Sequence, residues 1–261
     1  MSYRHLRLGS SLSSITVSSN GDTLAVSSPL DHRTNLWNLR DWSRKPEQMN
    51  VSEIVWSPDG RYYATSNSDQ TLVIRDSDTQ ALIQTLDMEQ GRNIVWSHDS
   101  QLIAAVTSFT SISIWRIGVE HPIATFHDSQ NSLVYALAWS NDDSILVSGG
   151  QGGRIEIWEV KPHLNEPINW LDSEPLVNEI GVRHDARVLI SKISCASTRP
   201  LCAASMSNGV VIFDPRTAQV KGYLIGYDIA FSTDGSTLAV AVENANIVLW
   251  DARNIDTEPG S

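Results

Sequence analysis

The chain has 261 residues, 41% of them hydrophobic, with a formal net charge of -11 and a pI near 5.0. That is enough apolar material for one large β domain or two smaller ones. The acidic balance argues against a protein whose main task is gripping nucleic acid or a membrane surface, since both need a cationic footprint. No window reaches the length of a membrane helix, and the residues after Leu8 are Gly and Ser instead of an apolar leader core. Cys195 and Cys202 are the only cysteines, too few for a disulfide framework. Both are expected to be reduced and packed as small hydrophobes, with a cytoplasmic location expected and the nucleus as the alternative.

In chain order, residues 3–8 form one strand candidate with no partner before it. The first repeat (11–49) runs through apolar stretches at 15–17, 24–26 and 35–37, with turns at 19–22 and 31–33. The second (50–90) has strands expected at 54–56, 62–65, 71–76 and 81–86. Its first turn is Pro58-Asp59-Gly60, where Pro presets φ, Asp bonds nearby backbone and Gly is free to take positive φ. The third (91–132) repeats the pattern at 94–96, 102–106, 111–115 and 122–126. The fourth (133–173) does so at 137–139, 145–147, 155–158 and 167–170, with a glycine turn over 149–153. An insertion is expected at 174–188; in a competing alignment 177–187 matches the pattern of 51–61 and the insertion falls later. The fifth repeat (189–225) reads as strands at 190–196, 201–205, 210–213 and 219–224. The sixth (226–254) has strands at 229–231, 238–242 and 246–250 and no apolar fourth strand.

Recurrence is the strongest signal. Trp56 to Arg75, Trp96 to Trp115, Trp139 to Trp158 and Phe231 to Trp250 are each 19 residues apart. A four-stranded unit of about 40 residues, with Ser57-Pro58-Asp59-Gly60 after one first strand and Trp250-Asp251 closing one third strand, resembles the WD-repeat β-propellers. The resemblance implies an all-β chain, 1–261 forming a single propeller domain of six four-stranded blades, with the strand at 3–8 closing the last blade. Seven blades is the alternative if 173–205 holds a degenerate one, and a fragment of a longer array is the third. Family repeats often carry Gly-His before the first strand as part of a buried hydrogen-bonded tetrad; no such pair occurs here, so the tetrad is expected to be absent or incomplete. Arg75 and Phe213 stand where the third-strand Trp is expected.

The residues offer little enzyme chemistry. Seven histidines form no paired zinc spacing, no Gly-x-Ser-x-Gly elbow is present, and the glycines at 149, 150, 152 and 153 match neither a phosphate loop nor a dinucleotide fingerprint. No catalytic residue, cofactor or metal is expected. Seven of the nine tryptophans occupy repeat positions and are expected in the core, while Trp42 and Trp170 fall outside the register. Trp42 is therefore a candidate for a partner surface, where Trp is enriched. The residue four before each first-strand anchor should lie on the rim where family members usually bind peptides: Ser52, Arg92, Tyr135, Ser191 and Tyr227. Phe213-Asp214-Pro215-Arg216 and Trp250-Asp251-Ala252-Arg253 resemble the adaptor-docking motif of substrate receptors in cullin-type ubiquitin ligases, which makes Arg216 and Arg253 candidate adaptor contacts. The leading expectation is a non-enzymatic interaction scaffold with protein partners, acting as a monomer or as a subunit of a larger complex. The alternatives are the ligase receptor and a propeller-scaffolded enzyme.

Overall fold

The computed structural model describes residues 14–28, 33–49, 51–67, 69–88, 92–128, 132–160, 180–181, 188–244 and 246–255. The expected strands at 3–8 and 167–170 lie outside the described residues. The chain divides into two units, Met1–Gly91 and Arg92–Ser261, and both are built from antiparallel sheets.

In the first unit, β1 (Ser14–Val17), β2 (Thr23–Ser28), β3 (Arg33–Asn38) and β4 (Arg44–Met49) pair in sequence order. So do β5 (Val51–Trp56), β6 (Tyr62–Asn67), β7 (Thr71–Asp76) and β8 (Leu82–Asp87). The sheets pack through Ala25 and Leu36 on one side and Ile54 and Tyr63 on the other, with Trp56 against the cluster. β4 was not legible as a strand because Arg44-Lys45-Pro46-Glu47-Gln48-Met49 has no apolar alternation. It forms as the outer partner of β3, pairing Thr34 with Met49 and Asn35 with Gln48, and an outer strand tolerates proline and charge.

The second unit holds four sheets. β9 (Arg92–Trp96), β10 (Leu102–Val106), β11 (Ser111–Arg116) and β12 (Ala124–His127) form the first. β13 (Val134–Trp139), β14 (Ile145–Gly150), β15 (Arg154–Glu159) and β16 (Ile180–Gly181) form the second. β17 (Ile190–Cys195), β18 (Cys202–Met206), β19 (Gly209–Phe213) and β20 (Val220–Leu224) form the third. β21 (Asp228–Phe231), β22 (Thr237–Val242) and β23 (Asn246–Asp251) form a three-stranded fourth, followed by a 3-10 turn at Ala252–Asn254. Each sheet packs face to face on the next: Ile112, Ile114 and Phe126 against Leu146 and Trp158, Val147 and Ile157 against Ile190 and Ile193, Val210 and Ile212 against Leu238 and Val240. The rings of Phe126 and Trp158 stack with centroids 4.8 Å apart. Complete burial of side chains this size stabilises by about 1.5–3 kcal/mol each, which is the main cohesion between sheets.

Five of the six first turns are tied by one device. A serine directly after the first strand (Ser18, Ser57, Ser97, Ser140, Ser232) points its hydroxyl at an Asn or Asp two residues on, at 2.5–2.8 Å, and accepts the amide that opens the next strand at 2.8–3.0 Å. The third residue after each serine takes positive φ, at Gly21, Gly60, Ser100, Asp143 and Gly235. Ala196 holds the serine's place in the remaining sheet. The first turns also link neighbouring sheets through the following residue: Ser19 Oγ donates to Ser57 O, and Ser197 Oγ to Thr233 O.

Several expectations are corrected. Cys195 and Cys202, expected to be reduced, are disulfide-bonded, because the seven-residue spacing places them directly opposite each other in the β17–β18 ladder. Gly149 and Gly150 belong to β14 and not to a turn. A Cβ on Gly150 would stand 1.8 Å from Leu133 O, and one on Gly149 would stand 2.9 Å from the Ile190 side chain, so close approach explains them. Gly152 and Gly153, with φ of 87° and 69°, make the turn. The fourth strand beside β15 is Ile180–Gly181, inside the span expected as insertion. Trp96, Trp115, Trp139 and Trp158 are buried as expected, but Trp250 is 42% exposed on β23, which has no fourth strand beside it among the described residues. Of the buried tetrad, Trp158 keeps one link, its Nε1 donating to Ser148 Oγ at 2.8 Å.

Candidate protein-interaction surface

Where the first strand of a sheet begins, its pairing with the second strand carries one extra residue in four sheets. Val51 and Glu53 face the consecutive residues Asn67 and Ser66, leaving Ser52 outside the ladder. Val134 and Ala136 face Gly150 and Gly149, leaving Tyr135. Ile190 and Lys192 face Met206 and Ser205, leaving Ser191. On β9 the shift falls between Arg92 and Val95, opposite Val106 and Ala104, where Asn93 has φ 52°. A β-bulge frees one residue from the ladder and re-aims its side chain. Tyr135 shows the effect: it is 37% exposed while Val134 and Ala136 on either side are at 6% and 4%.

Three of the rim candidates are thus the bulged residues themselves, and Arg92 opens the fourth bulged strand. In the second unit the same end of the sheets carries Tyr227, which is 57% exposed. It is held by its amide donating to Ala241 O at 3.0 Å and its carbonyl accepting from Ser205 Oγ at 2.6 Å. Lys192 and Asp228 form an exposed ion pair at 2.9 Å beside it. Sequence reasoning missed three further apolar side chains at this end: Phe109 in the β10–β11 turn (56% exposed), Leu189 before β17 (42%) and Ile225 between β20 and β21 (84%). The Phe109 carbonyl accepts from Val134 N at 2.9 Å and Leu189 bridges Gln151, so backbone bonds fix both beside the bulges. An apolar residue inside a turn cluster was the available signal, since turns favour Gly, Asn, Asp and Ser.

Trp42 is placed elsewhere. It lies in the β3–β4 turn with φ 61° and 37% exposure, and β5 begins at the opposite end of these strands, so Trp42 and Ser52 do not share a surface. The adaptor candidates are also apart from the rim, and both are engaged. Arg216 Nη2 bonds Asp142 Oδ2 at 2.7 Å in the neighbouring sheet's first turn, and Arg253 holds Asp251 through Nε and Nη2 at 2.8 and 2.9 Å. Burial pushes the Asp142 carboxyl up, but hydrogen bonds from Ser144, Ser140 and Arg216 outweigh it and hold the group at about 2. His98 and Asp143 make a second cross-sheet link: Asp143 Oδ1 meets His98 Nδ1 and N, both at 2.8 Å, and Oδ2 accepts from Asp99 N at 2.9 Å. The Asp143 hydrogen bond raises the His98 pKa against the opposing effect of partial burial. No group of three or more His, Cys, Asp or Glu is placed to hold a metal among the described residues.

Set beside known proteins, the chain matches the family model of the anaphase-promoting complex subunit 4 WD40 domain over residues 30–97 and 94–164, more than half its length. The chain belongs to the WD-repeat family. A guanine nucleotide-binding protein subunit beta from Zea mays is 25% identical over 167 residues, 58% of this chain and 44% of the relative. Protein transport protein SEC31 from Saccharomyces cerevisiae is 21% identical over 83% of this chain and 18% of the relative. Anaphase-promoting complex subunit cdc20 from Dictyostelium discoideum is 23% identical over 52% and 28%. The chain therefore spans less than half the length of each of these WD-repeat relatives. A chain of the mitotic checkpoint complex crystal structure superposes with TM-score 0.72 and 16% identity, covering 92% of this chain and 74% of that one. The fold is that of the WD-repeat β-propellers.

Proposed function

We propose that this chain is a non-enzymatic docking platform that binds other proteins through the bulged rim of its second unit. The observation that carries the reading is the bulge on β13, which places Tyr135 outside the ladder between two buried neighbours, at the end of the sheets that also carries Phe109, Leu189 and Tyr227. Exposed aromatic and aliphatic side chains on rigid strands suit an interface centre, where Tyr and Trp lose little entropy on binding. The names of its relatives support a role inside assemblies: a G-protein subunit, a subunit of the anaphase-promoting complex and a component of the mitotic checkpoint complex.

Affinity purification of the tagged full chain is expected to recover stoichiometric protein partners that are lost on the double substitution Tyr135→Ala and Tyr227→Ala and kept on Trp42→Ala. Retention of the same partners by the double variant would overturn the assignment of the rim. Failure to recover any stoichiometric partner would overturn the platform reading. The ligase-receptor alternative gains no observation of its own, since both arginines already hold carboxylates.

A further inference from the structure

The first unit contains a cleft of about 400 Å³ that the rim reading does not use. It opens at the end carrying the β1–β2, β3–β4, β5–β6 and β7–β8 turns, with residues from all four in its wall. Its floor is aromatic: Trp56 and Tyr63 sit with ring centroids 5.3 Å apart, tilted by 53°, and Tyr63 Oη donates to Gln80 Oε1 at 2.5 Å. Its charge is unbalanced. Arg40 is fully engaged with Asp22, Nε to Oδ1 at 2.8 Å and Nη2 to Oδ2 at 2.5 Å. Asp78 is the second carboxylate of the lining, exposed and without an ion pair among the described residues. Two carboxylates against one guanidinium leave the lining with one negative charge. Two buried polar atoms of lining residues, Trp56 Nε1 and Ser77 Oγ, have no hydrogen-bond partner among the described residues.

We propose that this cleft is a second recognition site, for a basic side chain presented by an extended peptide, with arginine the preferred residue. The guanidinium pairs with Asp78 while its plane and aliphatic stem lie on the Trp56 indole. A planar cation gains from an aromatic face as well as from the carboxylate, which a compact ammonium does less well. An anionic ligand is disfavoured by the negative lining, and the net charge of -11 favours approach of a basic partner. A volume of this size accepts one long side chain and its flanking backbone. The rim tyrosines lie in the second unit and this cleft in the first, so the two readings succeed or fail separately.

The test is a titration of the isotopically labelled full chain with the blocked peptide acetyl-Gly-Ser-Arg-Ser-Gly-amide, read at the indole N–H resonance of Trp56. A saturable shift is expected, about fivefold tighter than with the same peptide carrying citrulline, which keeps the shape and removes the charge. Asp78→Asn lies on an open turn, is expected to keep the unfolding midpoint, and should abolish the preference for arginine over citrulline. Tyr135→Ala should leave it intact. Absence of a saturable shift, equal binding of the two peptides, or a preference that survives Asp78→Asn would each overturn the proposal, as would tighter binding of a phosphoserine peptide.

Discussion

Ser57 is fully buried, and its hydroxyl both reaches Asp59 Oδ1 at 2.7 Å and accepts the Tyr62 amide at 2.9 Å. Replacing it with alanine leaves the part-buried Tyr62 amide without its acceptor, which costs about 1 kcal/mol, so Ser57→Ala should lower the urea midpoint without changing the slope. His98 gives a pH dependence of definite sign. Its folded pKa lies above the unfolded value near 6.5 because Asp143 holds the charged ring. The stability it contributes is complete below about 6.5 and is lost as pH rises through the folded value. NMR titration should place the His98 midpoint above 6.5, and Asp143→Asn should bring it down. At this scale the sequence was partly legible: Pro58-Asp59-Gly60 announced a turn, but the recurring serine before it went unread. A serine after a strand has many roles, and only the shared geometry of five turns shows this one.

Strands and hairpins were easier to anticipate where apolar runs were dense. The first three strands of each repeat were legible as apolar runs, and in β10, β11, β14 and β15 those runs are almost wholly buried between sheets, whereas β23 is exposed along its length. Outer strands were harder, since β4 has no apolar alternation and β16 is a two-residue pairing. The glycine pair in β14 was misread because sequence cannot reveal how closely Leu133 approaches. That approach makes a prediction: Gly150→Ala should abolish soluble expression or cost more than about 3 kcal/mol. Gly152→Ala meets no atom within 4 Å, but φ is 87°, so it should cost only about 1 kcal/mol, measured by chemical denaturation. The Cys195–Cys202 bond closes a short loop across one hairpin, so its reduction should lower stability by about 2 kcal/mol. A thermal scan with and without reductant measures it.

For the molecule as a whole, recurrence of a 19-residue anchor spacing carried the fold, and the family match agrees with it. The candidate site was half legible. Counting four residues back from each anchor found the bulged positions Ser52, Tyr135 and Ser191, yet nothing in the linear pattern showed that they were bulged. Phe109, Leu189 and Ile225 were missed because their exposure depends on which turns gather at one end of the sheets. With a net charge of -11, the chain should bind a basic partner with an on-rate that falls as salt rises. Surface plasmon resonance of a recovered partner at increasing ionic strength measures this.

The bulges also bear on how such a chain changes over generations. A residue that takes no part in the ladder can be exchanged without breaking a strand pairing, and at Tyr135 the neighbours on both sides, Val134 and Ala136, remain the ones that hold the core. On the docking role proposed above, Tyr135 is therefore a place where partner choice can drift while the scaffold is conserved, an address that can be rewritten without touching the building. Saturation mutagenesis at residue 135 should accordingly yield folded protein with nearly every side chain, whereas the same library at Val134 or Ala136 should not.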